Sequence, residues 1–360
     1  MKSAQDLTLV LSMFGRQVFS ERFFEHLQST QCPYSIIFAD GDADGYGKSL
    51  VKKFSSSLDI THIEHKQSKK FMDYYEMQVA ALEAVETPFA MLCDNDDFII
   101  YSAIEKLIKF LNNNSEYVSA GSPISKIQLD NFSTDCYGKY STLYTPYAHY
   151  REEEPLNCWK EQIQKTFLDF QPSFYNIHKK EVLLKVWREI LELDFSDLTI
   201  MEFYYQLRIP TLGKQHADPS VSHYVRQRGT GMWEKNYDFS NQLVHNNLPE
   251  DIRKVAKKIS LVCNQEFLSD PQKVYTVILD SYAQHLNNYL PHNVMRYRWP
   301  RLYNIKILIK NTLSKFTLLL NINFFLKEKN VLNYYKKTKR SAYPTFLKEI
   351  KKIKKIIHKS

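Results

Sequence analysis

At 360 residues, with 44% hydrophobic and 24% charged content, the chain can bury the core of one large α/β domain and still carry a substantial appendage. Five cysteines, Cys32, Cys93, Cys136, Cys158 and Cys263, form no CxxC pair and have no histidine at zinc spacing, so the reading is a reducing cytosol and no structural zinc. The net charge of +8 is unevenly placed: from Arg296 onward eighteen Lys/Arg face only Glu328 and Glu349, a basic tail of +16 on an acidic body of −8.

The first hundred residues alternate strand-like apolar runs with amphipathic ones: LTLVLSMF, QVFSERFFEHLQ, YSIIFAD, GKSLVKKFSSS, ITHIEHK, KFMDYYEMQVAALEAV and FAMLCDND. This β/α alternation predicts a mostly parallel, helix-covered sheet. The opening apolar run has no small-residue cleavage site and reads as a first strand rather than a signal peptide. Thr87 and Pro88 end the third helix, and FAMLC, too short for a helix, opens directly onto Asp94. Ligands of open parallel sheets bind beyond the carboxyl ends of the strands, so Asp40, Asp42 and Asp44 after YSIIF should share one rim with Asp94 to Asp97.

IIYSAIEKLIKFLNNN predicts a helix and EYVSAGSPIS a strand and turn, whereas residues 125 to 172 read as Tyr-rich and irregular. EVLLKVWREILEL and IMEFYYQLRI are two amphipathic helices separated by DFSD, and VSHYVRQRGTGMW is a strand followed by a flexible loop. The expected organisation is a domain over 1–240, with a nucleotide-binding half at 1–120 and an acceptor half at 121–240, and a helical C-terminal region over 241–360. Only eleven uncharged residues separate Lys315 from Lys327, too few to span a bilayer.

An Asp-x-Asp at a strand end supplies the one or two carboxylates that Mg²⁺ or Mn²⁺ takes when diphosphate and water fill its other positions. Such an ion neutralises charge on a departing diphosphate. For Asp94 to Asp97 taken alone, capping of the next helix is an equally good account.

The order of the pieces over roughly residues 7 to 230 resembles family 2 glycosyltransferases of the GT-A type and related bacterial surface-polysaccharide enzymes. LVLSMFGR resembles the first strand and its turn, IIFADGDAD the second-strand signature, and TPFAMLCDNDDF the strand carrying the metal motif. Gln78 and Val79 depart from the Arg-Asn pair often found on the helix before that strand. The resemblance implies a Rossmann-like GT-A domain that moves a sugar from a nucleotide-sugar donor, with inversion, to a glycan or lipid-linked acceptor. By it, Asp40 with Asp42 would serve the nucleobase, Asp94 and Asn95 the donor, and Asp94 and Asp96 the metal, with His223 as a candidate third ligand. Asp197, preferred over Glu202 five residues on, would be the general base, which a hydroxyl nucleophile requires; a helix N-cap is the competing account of Asp197. Arg226 and Arg228 carry forked donors suited to phosphate, against ordinary surface ion pairing.

GYGKS is not a P-loop, because Asp42 stands where a glycine is needed. A sugar-nucleotide nucleotidyltransferase would need a Gly-rich basic loop after the first strand, where FGRQVFS has one glycine. A basic tail also suits nucleic acid. Here, however, Phe346, Leu347, Ile350, Ile353 and Ile357 fall on one helical face with lysines elsewhere, a pattern better suited to an anionic membrane surface. The expectation is therefore a peripheral enzyme on the cytoplasmic face of the cell membrane that binds no nucleic acid; a solvated or oligomerising helix is the plainer account of the tail.

Overall fold

The computed structural model describes residues 6–42, 44–66, 71–130, 135–144, 159–168, 173–219, 221–227, 247–262, 270–298 and 343–358. The predicted alternation is present: β1 (Leu7–Met13), α1 (Gln17–Ser29), β2 (Ser35–Asp40), α2 (Tyr46–Phe54), β3 (Ile60–Glu64), α3 (Phe71–Glu83) and β4 (Phe89–Asp94). A two-residue β5 (Phe98–Ile99), α4 (Tyr101–Asn113) and β6 (Tyr117–Gly121) follow.

The stretch read as irregular contains β7 (Ile124–Leu129), β8 (Tyr140–Tyr144) and α5 (Trp159–Leu168). Beyond it come β9 (Ile177–Lys179), α6 (Lys180–Leu193), α7 (Leu198–Arg208), β10 (Lys214–Ala217), β11 (Tyr224–Gln227), α8 (Leu248–Val262), α9 (Pro271–Arg298) and α10 (Tyr343–Ile357).

The main sheet runs β10-β6-β9-β4-β1-β2-β3. Its strands are parallel except β9, which is antiparallel to both β4 and β6. β1 lies between β2 and β4, where the strand order reverses, the position at which open α/β sheets form their ligand crevice. A smaller sheet, β5-β11-β7-β8, stands beside it.

Alternating side chains give the main sheet two buried faces. Leu7, Leu9, Leu11, Met13, Ile36, Phe38, Met91 and Cys93 pack against α1, α2 and α4. Val10, Ile37, Ala39, Ala90 and Leu92 pack against α3, α6 and α7, a cluster that also takes in Ile252, Val255 and Ile259 of α8 and Val274, Ile278 and Tyr282 of α9. Buried residues of α8 and of the first half of α9 thus complete this core.

The tail helix departs from the membrane expectation. Phe346, Ile350, Ile353 and Ile357 are at most 3% exposed and pack on Phe98, Ile100, Ile127, Leu129, Leu143, Val221 and Val225 of the small sheet and its surroundings. Glu349 accepts from the Ser102 backbone N–H and hydroxyl (3.2 and 2.9 Å), and the Gly138 N–H donates to the Ile357 carbonyl. The apolar stripe that would have entered a bilayer is covered by the protein itself, because an amphipathic face serves either purpose and its periodicity does not name the partner. Among the described residues, no helix is long and apolar enough to cross a membrane.

Candidate functional site

Strand register places the acidic groups on one rim. Met13 pairs with Asp40, Asp40 with Glu64, and Ser12 with Asp94. The pleat sends them to opposite faces there: Asp40 follows Ile36 and Phe38 toward α1 and α2, whereas Asp94 follows Ala90 and Leu92 toward α3 and α7.

The β1–α1 turn joins the two groups. Gly15, at φ 65, donates its N–H to both oxygens of Asp42 (2.8 and 3.0 Å). The next residue, Arg16, at φ 53, reaches Asp96 with Nη1 to Oδ2 at 2.9 Å.

On the Asp40 side, the carboxylate is fully buried: Oδ1 accepts from the Asp42 N–H (3.0 Å), and Oδ2 lies 3.1 Å from His62 Nε2. His62 stacks on Phe38 and is the more exposed of the pair. Gly47, the second residue of α2, makes room for this carboxylate, since a Cβ there would come within 2.0 Å of Asp40 Oδ2. Asp44 accepts from the Tyr46 N–H and from Gln17 Nε2.

On the other side, Asp94, Asp96 and Asp97 can each offer an oxygen within 4.8 Å of the others. Tyr175 donates its hydroxyl to Asp94 Oδ2 at 2.5 Å, and the Asp94 N–H bonds to the Tyr224 hydroxyl. Asn95 does not join the carboxylates: its Nδ2 donates to Ser20 Oγ (2.9 Å) and the Arg16 carbonyl (3.3 Å), which ties the loop to α1.

Asp97 Oδ1 accepts from the Gln227 N–H, whereas the buried Oδ2 accepts no hydrogen bond from the described residues, the Arg226 Nε standing 3.5 Å away in an ion pair. A buried acceptor without a donor is costly, and an oxygen-seeking divalent cation would supply the missing partner. Burial first, and then the mutual repulsion with Asp96, push the Asp94 and Asp97 carboxyls above the usual range. The residues present therefore fit Mg²⁺ or Mn²⁺.

Three arginines offset this charge. Besides Arg16, Arg226 lies over the Tyr175 ring at 5.0 Å, and Tyr175 stacks on Tyr224 with ring centres 4.4 Å apart. Arg22 is fully buried; it donates to the Asp96 carbonyl (2.6 Å), Gln227 Oε1 (2.5 Å) and the Cys136 carbonyl (2.5 Å), between the rings of Phe19 and Phe98. Arg228 lies outside the described residues.

His223 is not presented to the carboxylates. Its Nδ1 is 3.1 Å from the Ser122 N–H and 3.0 Å from the Ser122 hydroxyl, and Nε2 meets the Tyr175 carbonyl at 3.0 Å. Burial lowers its pKa to about 4, so the ring is neutral and structural. Asp97 takes the place in the cluster that the sequence had offered to this histidine.

Asp197 is fully buried at the N-cap of α7, accepting from the N–H groups of Thr199 and Ile200 (2.6 and 3.2 Å). One turn on, Glu202 is partly exposed. Burial, and then the charges of Asp94 and Glu202, raise the pKa of Tyr74, which sets Glu202 within electrostatic reach of the same phenol as Asp94. Gln78 is turned inward, its amide donating to Ser12 Oγ. The sequence did not single out Arg16, Arg22, His62 or Tyr175; Arg16 and Asp97 were nonetheless detectable as a cation in the first rim turn and a third carboxylate beside the motif.

No known family's sequence profile matches the chain, and no curated protein matches its sequence. Solved structures do match in fold. Residues 1–349 of Staphylococcus aureus TarS superpose at a TM-score of 0.52 and 13% identity, covering 82% of this chain and 75% of that one. The same TarS segment in complex with UDP-GlcNAc gives 0.52 and 13%, covering 78% and 73%, and a longer TarS chain gives 0.51 and 14%, covering 77% and 43%. The fold is thus the Rossmann-like GT-A arrangement that the order of the sequence signatures implied.

Proposed function

We propose that the chain is a glycosyltransferase that uses a nucleoside-diphosphate sugar, with UDP as the nucleotide. The observation that carries this reading is the Asp94, Asp96 and Asp97 cluster at the carboxyl end of β4, on the rim where the strand order reverses. The fold likeness to a protein crystallised with UDP-GlcNAc supports the choice of donor.

Asp94, Asp96 and Asp97 would hold Mn²⁺ or Mg²⁺, which when bound neutralises charge growing on the departing diphosphate. Tyr175 orients Asp94, Arg22 holds the backbone of Asp96, and Arg226 stands beside Asp97 with a guanidinium suited to phosphate oxygens. The nucleobase side falls to Asp40 and Asp42. Asp40 is covered, so it acts by fixing His62, the more exposed partner of the pair.

Glu202 is assigned the general base that takes the acceptor hydroxyl's proton, and direct attack so assisted inverts the anomeric centre. Asp197 is assigned the cap that orients α7. The acceptor is proposed to be a glycan or lipid-linked saccharide at an anionic cytoplasmic membrane face. What supports the membrane here is charge alone: Lys348, Lys351 and Lys355 of α10 are exposed while its apolar side is covered.

The test is a screen of nucleotide sugars with Mn²⁺ or EDTA, reading nucleoside-diphosphate release and thermal shift. A UDP-sugar is expected to respond with Mn²⁺ and not with EDTA, and Asp96→Ala is expected to lose the response. A panel without any metal-dependent response would sink the proposal.

A further inference from the structure

Three carboxylates within four residues repel one another, and in a weakly screened site that repulsion is large. The structure meets it with arginines that are held very differently. Arg22 has no exposed surface and its guanidinium is fixed by three carbonyl-type acceptors. Arg226 lies against the Tyr175 ring and Asp97. Arg16 sits on the β1–α1 turn, its side chain 29% exposed, with Nη1 on the Oδ2 of an Asp96 that is itself only 4% exposed.

A cation at this cluster would take an oxygen of the same Asp96 carboxylate. The guanidinium and a divalent ion therefore compete for one carboxylate. The turn that carries Arg16 is itself anchored to the other acidic group, through the Gly15 N–H and Asp42, so the side chain can turn while its backbone stays.

We propose that Arg16 is a built-in counter-cation: it holds Asp96 in place while the site is without metal, and passes to the donor's diphosphate when the metal arrives. The idea rests on the metal and donor reading above. Its chemistry is an exchange of partners in which no covalent bond forms or breaks. Before binding, a monovalent cation satisfies Asp96; after binding, the divalent ion does so, and the displaced guanidinium meets new phosphate oxygens, for which its planar fork is well matched. The charge of the pocket stays near balance throughout, which keeps the acidic loop folded with or without ligand.

The test uses the full chain and Mn²⁺ alone, with the free-ion signal followed by electron paramagnetic resonance, and then UDP binding at saturating Mn²⁺ by calorimetry. Arg16→Gln is compared with wild type, Arg16→Lys and Asp96→Asn. Arg16→Asn serves as a second neutral variant, because asparagine tolerates the left-handed backbone at this position.

Removing the competing cation is expected to tighten Mn²⁺ binding without nucleotide by about tenfold, to weaken UDP binding by about tenfold, and to enlarge the rise in Tm on adding Mn²⁺. Arg16→Lys is expected to stay near wild type for Mn²⁺. A merely structural Arg16 would weaken both ligands together. Mn²⁺ binding that is unchanged or weaker in both neutral variants overturns the exchange, and UDP binding that is unchanged overturns the transfer to diphosphate. If wild type and variants alike bind no more Mn²⁺ than Asp96→Asn, the metal reading fails, and the exchange with it; equal, measurable Mn²⁺ binding sinks the exchange alone.

Discussion

Arg22 donates to the backbone carbonyl of Asp96 at 2.6 Å from a helix 74 residues earlier in the chain. The bond makes a buried cation part of the loop that bears the acidic motif. The same guanidinium holds Gln227, whose N–H in turn donates to Asp97. One residue thus ties α1, the motif and the small sheet together.

Arg22→Met keeps the length of the side chain and removes all three donors, leaving buried acceptors unmatched at roughly 1–3 kcal/mol each. The expected loss is about 3 kcal/mol or more in chemical denaturation, since part of each penalty relaxes. Metal-dependent donor binding should weaken even where the protein is folded. A variant as stable as wild type would show that the three contacts contribute little.

Asp197 and Glu202 make opposite predictions. Asp197→Ala removes a cap with two N–H partners and should cost about 1–2 kcal/mol of stability, whereas Asp197→Asn keeps an acceptor and should be milder. Glu202→Gln should leave the melting temperature nearly unchanged and lower kcat by roughly 10²-fold or more, with donor affinity retained. Kinetics and melting on the three variants separate the roles. A full loss of turnover in Asp197→Asn with Glu202→Gln active would reverse the assignment.

The rim was legible in sequence because strand ends are marked by apolar runs meeting charge: FAMLC opens onto Asp94 and SIIFA onto Asp40, and parallel pairing brings such ends together. The small sheet was not legible. The strand in VSHYVRQ is β11, but its partner β7 lies a hundred residues earlier, almost wholly within the stretch that reads as irregular, and β5 is two residues long, too short to show a period. Arg22 looked like one charge on an amphipathic helix; its burial depends on Phe98 and Gln227 arriving from elsewhere. The tail's stripe is amphipathic in the sequence alone, but its period does not name the small sheet as the partner.

Buried histidines set the acid limb of stability. His26, His178 and His223 are fully buried, and desolvation lowers each to about 4. The folded state thus refuses protons that the unfolded chain accepts near 6.5. Their contribution is complete above about pH 6.5 and is lost as pH falls from there toward 4, with a ceiling on the order of 3 kcal/mol for each. Denaturant midpoints measured across that window should fall with acid, and His223→Gln should flatten the fall. An unchanged slope in that variant would mean that the ring does not stay neutral in the folded state.

The last prediction concerns the C-terminal helix. Ile353 is fully buried against the small sheet that carries Arg226 and Gln227 and continues from Asp97. Ile353→Lys places an ammonium in that apolar cluster, and should cost at least about 3 kcal/mol, since the lost burial and the desolvation of a charge add. Were the helix instead a free membrane anchor, the same substitution would leave stability in solution alone and lower its affinity for anionic vesicles. The converse change, exposed Lys348, Lys351 and Lys355 each to Glu, should leave the fold intact and abolish any salt-sensitive vesicle binding. Denaturation and flotation on both variants therefore separate the two uses of one helix: its apolar side holds up the small sheet behind the acidic loop, and only its lysine side is left for a surface.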